Sequence, residues 1–183
     1  IKKNDKSISN ILGYNFRLGE IEAASGIEQF KKLKKIIKFR QMLAKTFIDR
    51  ISNLEGIQTP IIRKGSTHVY YVIPFVLDLK KFKYKRKKIL DILKKEKITG
   101  LVAGYTNLHL LPIFQNKIAY GKKGFPWSSF NKKIKYQKGL CKNAEELHDK
   151  SFFYLALCSY DYKIPHMKLY AKKFKKVWER ILK

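Results

Sequence analysis

The clearest pattern in the chain is the recurrence of apolar residues at the spacing of an α-helix. Near the C-terminus, lysines fill the positions opposite one apolar stripe, which comprises Met167, Tyr170, Ala171, Phe174, Val177, Trp178, Ile181 and Leu182. A similar pattern extends from Leu18 to Ile51. The sequence therefore predicts two amphipathic helices. The first would be about 50 Å long, which suits an element that connects two lobes.

Between these helices, shorter runs alternate in type. Residues 68–77 (HVYYVIPFVL) are rich in β-branched and aromatic side chains and predict a strand, with Pro74 at an edge or a bulge. The other predictions are a loop at 53–67, a helix at 84–97, a strand at 98–105, an ordered loop region at 107–138, a helix at 143–153 and a strand at 153–158. Asn143 is the predicted N-cap of its helix. This order predicts an α/β layer packed against the long helix.

The formal net charge of +27 raises the question of a nucleic-acid or anionic-lipid partner. Only six of the 41 basic residues are arginines, although planar guanidinium groups are the better readers of phosphates and bases. Lysines on solvated helix faces are the ordinary interpretation, and we expect no nucleic-acid partner. A basic, non-catalytic nucleic-acid-binding or scaffold domain remains the alternative.

Other features bound the class of protein. The 183 residues suit one domain, or a small domain with a connecting element. The chain begins at Ile1 without a charged-then-apolar leader, so we expect a piece of a longer chain. The apolar runs are too short to span a membrane, and we expect no membrane association. Two cysteines suit a reducing cytoplasm; with His148 they match no standard zinc spacing, so we expect no metal site.

Two islands carry candidate chemistry. In residues 13–24 (GYNFRLGEIEAA), Asn15 and Arg17 precede the predicted start of the long helix, where an amide and a guanidinium can hold a phosphate or carboxylate. A capped loop is the more ordinary interpretation of such a turn. In residues 105–127 (YTNLHLLPIFQNKIAYGKKGFPW), Tyr105 and His109 are polar within an apolar stretch. A hydrogen-bonded loop histidine is the ordinary interpretation of His109.

From about Gly13 to the C-terminus, these islands and their order resemble the C-terminal part of the DegT/DnrJ-type sugar aminotransferases. The resemblance implies an α/β protein of the aspartate-aminotransferase-like fold (fold type I pyridoxal phosphate transferases). Residues 1–52 would be the end of a large domain and a long linking helix, and residues 53–183 a small C-terminal α/β domain. The whole enzyme would be a cytoplasmic homodimer that transfers an amino group, usually from glutamate, to a keto nucleotide sugar for surface glycan biosynthesis.

The resemblance also implies roles for individual residues. Asn15 matches an asparagine that reaches the cofactor phosphate of the partner subunit, so the active sites would be composite, and Arg17 lies at the same shared site. Tyr105 and His109 would border the sugar. The family's catalytic lysine lies upstream of the Asn15 turn, where this chain has only twelve further residues before Gly13. We therefore expect no catalytic residue here and an inactive isolated chain. A degenerate, non-catalytic relative is a further possibility.

Overall fold

The computed structural model describes residues 17–117, 119–121, 123–130 and 134–182. Its helices are α1 (Glu20–Ile51), α2 (Arg86–Lys95), α3 (Pro112–Asn116), α4 (Lys142–Glu146) and α5 (Ile164–Leu182). A π-helical turn, Leu147–Ser151, continues α4. The strands are β1 (Ile57–Gln58), β2 (Ile73–Leu77), β3 (Leu101–Ala103) and β4 (Phe152–Leu155). Short 3-10 turns lie at Leu79–Lys81, Leu108–Leu110, Trp127–Ser129 and Leu157–Ser159.

Backbone contacts group the chain into two units, Ile1–Ile36 and Ile37–Lys183. This grouping does not test the predicted assignment of residues 1–52 to a large domain and linking helix and of 53–183 to a small domain, which stays a prediction.

The described part of the first unit consists of the start of α1 and the three residues before it. Its apolar side chains are exposed: Ile21 is 84% and Phe30 is 75% accessible, and Leu18 and Ile27 are also open. The predicted amphipathic pattern is therefore present in this stretch, but no described residue of the unit packs against it.

The second unit is built on an antiparallel sheet of order β1-β2-β4-β3. Strands β2 and β3 run in the same direction, with β4 inserted between them, and α2 lies on the crossover that joins them. The register pairs Phe75 with Phe153 and Ile73 with Leu155. This order places the segment that follows β3 beside the segment that precedes β4.

Four phenylalanines link the elements of the core. Phe47 of α1 packs against Phe75 of β2 and Phe174 of α5, with ring centroids 6.1 and 5.5 Å apart, and Phe75 packs against Phe153 of β4 at 5.0 Å. All four side chains are fully buried. The stripe predicted on α5 is confirmed, since Met167, Ala171, Phe174, Val177, Trp178 and Ile181 are buried, with Tyr170 and Leu182 packed at its margin.

The first predicted strand is shorter than expected. It begins at Ile73, because residues 68–72 form a turn in which the backbone N–H of Tyr70 donates to Nδ1 of His68 at 2.8 Å and Tyr70 takes a positive φ of 52°. Pro74 lies in an interior strand and pairs with Tyr154. Proline has no N–H to donate, but no hydrogen bond between strands is lost on the β1 side of Pro74. The described β1 is too short to reach it and pairs with Val76 and Leu77.

Three other predicted elements need correction. The loop predicted at 53–67 contains β1, whose two residues are too few for a sequence pattern. The N-cap of α4 is Cys141 rather than Asn143, which lies inside the helix. The strand predicted at 153–158 begins and ends earlier, at Phe152–Leu155, because a 3-10 turn follows it.

Replacing Trp178 tests the assigned inner face of α5. Its indole is fully buried, stacks on Phe174, contacts Phe82 edge-on and donates Nε1–H to the carbonyl oxygen of Glu55 at 2.9 Å. We expect Trp178→Ala to lower the free energy of unfolding by about 3–5 kcal/mol. Urea denaturation measures the change.

Lys175→Ala is the matched control on the exposed face of the same helix, where the lysine makes only a loose, solvent-exposed ion pair with Glu179. Its effect should be no more than about 0.5 kcal/mol. Equal losses in the two variants would contradict the assigned face.

Candidate functional site

The loop that follows β3 carries both predicted sugar-contact residues, and it starts at a position that requires glycine. Gly104 has a φ of 64°, and a Cβ atom there would lie 2.8 Å from the backbone oxygen of His148. Its N–H donates to the carbonyl oxygen of Phe152 at 2.8 Å. The absence of a side chain therefore lets the start of this loop lie directly on the turn before β4.

Tyr105 is fixed by its backbone and free at its side chain. Its N–H donates to Nδ1 of His148 at 3.0 Å. Tyr105 is 61% exposed, and its ring centroid lies 6.2 Å from that of Tyr154, on the face of the sheet opposite the core. This arrangement presents an available phenolic hydroxyl on an anchored backbone, as a substrate contact requires.

His109 lies four residues further along, in the 3-10 turn, and its ring is mostly buried. Nε2 lies 2.9 Å from Oε1 of Glu145, and the two side chains are only 10% and 8% exposed. The carbonyl oxygen of His109 accepts a hydrogen bond from the amide of Gln115 at 2.6 Å. The hydrogen-bonded loop histidine of the ordinary interpretation is thus present, but its partner is a buried carboxylate.

The carboxylate of Glu145 accepts hydrogen bonds from three residues. Besides His109, its carboxylate accepts from the N–H of Gly139, at 2.9 and 2.8 Å to the two oxygens, and from the N–H of Cys141 at 3.2 Å. The bond from Gly139, helped by those from His109 and Cys141, outweighs burial and lowers the pKa of Glu145 below its ordinary value. Among the described residues, it is the one charged side chain that is buried.

Sequence reasoning missed Glu145 and His148. A glutamate in the first turn of a helix has an ordinary explanation, its favourable interaction with the helix dipole. The signal available in the sequence was the lone histidine in the apolar 105–112 stretch, which needs a polar partner once it is buried. The partner lies 36 positions away.

Arg86 holds the turn that carries these groups. Nη1 donates to the carbonyl oxygens of Leu147, His148 and Phe152 at 3.2, 2.7 and 2.8 Å, and Nη2 donates to that of Asp149 at 3.2 Å. Burial lowers the pKa of Arg86. A single guanidinium therefore ties the π-helical turn to the first residue of β4, since it donates to carbonyl groups of both.

The predicted cofactor residues belong to the first unit. Asn15 lies outside the described residues. Arg17 is exposed and lies three residues before α1. The helix terminus itself carries acidic side chains, Glu20 and Glu22, and the Glu22 carboxylate lies over Gly19. These carboxylates disfavour an anion at the free N–H groups of α1, and phosphate binding by Arg17 stays a prediction.

Other kinds of site find no support in the described part of the chain. No group of three or more His, Cys, Asp or Glu side chains is placed there to hold a metal ion. None of the helices described has the length and apolar character that crossing a bilayer demands.

A scan against protein families matches residues 1–148 to the DegT/DnrJ/EryC1/StrS aminotransferase family. One relative is the UDP-4-amino-4,6-dideoxy-N-acetyl-beta-L-altrosamine transaminase of Helicobacter pylori, 35% identical over 111 residues, which are 58% of this chain and 27% of that protein. Another is the spore coat polysaccharide biosynthesis protein SpsC of Bacillus subtilis, 25% identical over 114 residues, which are 62% of this chain and 29% of that protein. The chain spans less than a third of the length of the curated relatives it matches.

The fold matches that of a solved aminotransferase. The crystal structure of the aminotransferase from Psychrobacter cryohalolentis superposes with a TM-score of 0.67 at 18% identity, over 95% of this chain and 42% of that one. This likeness confirms the predicted aspartate-aminotransferase-like fold, a long helix with a small mixed α/β layer.

The depressed pKa of Glu145 makes a pH dependence testable. A carboxyl group whose pKa is lower in the folded chain contributes stability fully above its ordinary pKa of 4.5, and loses it as the pH falls through the lower folded value. The difference in unfolding free energy between wild type and Glu145→Gln should therefore shrink on acidification through this range. Urea denaturation at a series of pH values measures it.

Glu146→Gln is the control, since the neighbouring Glu146 is exposed and forms a solvent-exposed ion pair with Lys150. It should show a much weaker pH dependence. A wild-type advantage over Glu145→Gln that stays constant with pH would contradict an ionised, hydrogen-bonded Glu145.

Proposed function

Since this chain belongs to the DegT/DnrJ/EryC1/StrS aminotransferase family, we propose that it is the C-terminal portion of a sugar aminotransferase. The complete enzyme transfers an amino group, from glutamate, to a keto nucleotide sugar in surface glycan biosynthesis. The observation that carries this proposal is the loop of residues 104–110, where hydrogen bonds from the α4 segment hold the backbone of Tyr105 and the ring of His109. The relative from Helicobacter pylori is a UDP-sugar transaminase, and that from Bacillus subtilis serves spore coat polysaccharide biosynthesis.

Pyridoxal phosphate is the cofactor of this family, and when bound it supplies the electron sink for amino transfer. Of the described residues, Arg17 would bind its phosphate, with Asn15 as the second proposed ligand. Both would act on the cofactor of the partner subunit, so that each active site of the homodimer contains residues from two chains.

The catalytic lysine is proposed to lie upstream of this chain, which would be inactive alone. Such a lysine needs a desolvated position that lowers its pKa. Within the described residues no lysine is buried. The pKa values of Lys81 and Lys150 are raised instead, through hydrogen bonds with Glu55 and Glu146. The described lysines therefore have the character of surface cations.

The exposed apolar face at the start of α1 supports a larger assembly. Leu18, Ile27 and Phe30 line one apolar surface together with Ala23 and Gly26. Contiguous apolar surface of this kind is typical of a contact with other protein. In the proposed enzyme, the large domain covers it.

The alternative of a basic nucleic-acid-binding or scaffold domain lacks comparable support. None of the described lysines is buried, and several form ion pairs such as Lys45–Asp49 and Lys150–Glu146. The hydrogen bonds at Glu145 have no part in nucleic-acid binding. Binding driven by phosphate contacts would weaken steeply as salt rises, and a titration at two salt concentrations distinguishes it.

Tyr105→Phe tests the proposed sugar contact in the complete enzyme. The substitution removes only the exposed hydroxyl, while the backbone bond to His148 and the ring stay. We expect the rate of the sugar half-reaction, as kcat/KM, to fall about three- to tenfold, the loss of one hydrogen bond. The glutamate half-reaction should be unchanged. Single-turnover kinetics of the cofactor absorbance measures each half separately.

Tyr84→Phe provides the control, because Tyr84 is also an exposed tyrosine of the second unit and lies outside the loop. It should leave both half-reactions unchanged. Equal losses of Tyr105→Phe in both halves would assign Tyr105 a structural role.

Subunit mixing tests the composite site. An Asn15→Ala subunit of the complete enzyme is combined with a subunit whose upstream catalytic lysine is replaced, at a cofactor concentration where each homodimer is inactive. Losing one hydrogen bond to the cofactor phosphate should cost about 1.5–3 kcal/mol of binding. If Asn15 reaches the partner's cofactor, both lesions fall in one site of the heterodimer and the other site is intact.

Activity should therefore return on mixing, up to about half of the wild-type value per mixed dimer. Mixing wild-type subunits with the lysine variant gives the reference for heterodimer formation. Heterodimers without activity would show that Asn15 acts within its own subunit.

A further inference from the structure

The bond between His109 and Glu145 places the two ring nitrogens of the histidine in different situations. Nε2 lies 2.9 Å from Oε1 of Glu145. The carboxylate also accepts hydrogen bonds from the backbone N–H groups of Gly139 and Cys141, and these contacts are those of an ionised acceptor. An ionised carboxylate has no proton to donate, and therefore Nε2 must carry the hydrogen.

The other nitrogen, Nδ1, is available. No residue in the described part of the chain bonds it, and it is not among that part's solvent-excluded polar atoms, so it reaches the surface. In a neutral imidazole with its hydrogen on Nε2, Nδ1 is an acceptor. Its natural partner is a donor such as a hydroxyl group, and a phosphate oxygen would find no hydrogen there.

We propose that Glu145 is a positioning residue for substrate recognition, which fixes the orientation and tautomer of His109 so that Nδ1 accepts a hydrogen bond from a hydroxyl group of the sugar. This inference rests on the function proposed above and adds the chemical group that His109 recognises. Glu145 acts only through His109, since its carboxylate is buried and already engaged by three donors.

Hydrogen bonds fix both the backbone of His109 and one nitrogen of its ring. The carbonyl oxygen of His109 accepts from Nε2 of Gln115, and the same amide nitrogen donates to the carbonyl oxygen of Tyr136 at 2.5 Å. The N–H of Leu110 donates to the carbonyl oxygen of Asn107, which closes the 3-10 turn. With backbone and Nε2 both fixed, Nδ1 has one direction in which to accept, and a substrate hydroxyl binds a preorganised acceptor.

The first test reads the tautomer without activity. The complete wild-type protein is labelled with ¹⁵N-histidine, and long-range ¹H–¹⁵N correlation spectra report which ring nitrogen of each histidine is protonated. His109→Gln identifies the His109 signals by their disappearance. We expect the Nε2–H form for His109, retained in the control Glu146→Gln. An Nδ1–H form in the wild type would overturn the proposal.

The second test is a double-mutant cycle on the sugar half-reaction. In Glu145→Gln the single amide oxygen must serve Gly139, Cys141 and His109, so the ring loses its fixed direction. The KM for the nucleotide sugar should rise about tenfold, with the glutamate half-reaction unchanged and Glu146→Gln like the wild type. When His109→Gln is already present, Glu145→Gln should add no further loss.

The outcomes distinguish a failure of the positioning role of Glu145 from a failure of the proposed function. Additive losses in the cycle, or equal losses in both half-reactions, would overturn the positioning role of Glu145 while the proposed function stands. Should Glu145→Gln not fold, the wild-type tautomer and the His109→Gln kinetics decide. A complete wild-type enzyme that uses glutamate but aminates no keto nucleotide sugar would refute the proposed function, and this inference with it.

Discussion

The arrangement of the candidate site depends on the guanidinium of Arg86. One planar group, projecting from the first turn of α2, donates to three carbonyl oxygens of the turn that joins α4 to β4 and to that of Phe152, the first residue of β4. Carbonyls at the end of a helix have no intrahelical donors, and a lysine ammonium could not reach several of them in such a fork. Because α4 and its turn carry Glu145 and His148, the position of Arg86 determines where those two side chains meet the loop after β3.

The sheet order supplies the second half of this arrangement. Since β3 pairs with β4, the loop that leaves β3 lies over the turn that enters β4, and Gly104 allows contact without a side chain between them. His148 then bonds the backbone of Tyr105, and Glu145 bonds the ring of His109. Two residues of one helical segment thus hold two residues of the loop after β3.

Elements with long repeating patterns were predicted correctly from the sequence, and short elements were not. The 19-residue α5 repeats its apolar stripe often enough to predict both the helix and its buried face, including Trp178. By contrast, β1 has two residues, and the end of the helix predicted at 143–153 is held by Arg86, which lies 61 positions before the first carbonyl it contacts. Tyr105 and His109 were proposed through a resemblance, and their sugar contacts stay a prediction. Glu145 was not proposed, because its burial arises from contacts 6 and 36 positions away that no local pattern encodes.

The net charge of +27 and the candidate site are separate properties of the chain. The described lysines keep contact with water, where a cation is solvated at little cost and contributes little to stability. The charge that the fold buries is a carboxylate, and burial is tolerable there because peptide N–H groups and an imidazole N–H replace its water. A buried ionic group must be hydrogen-bonded by particular protein groups, and for Glu145 these are Gly139, Cys141 and His109, which are held in place by it. Among the described residues, the ionic group with fixed partners is therefore the buried acid Glu145 and not any of the exposed bases.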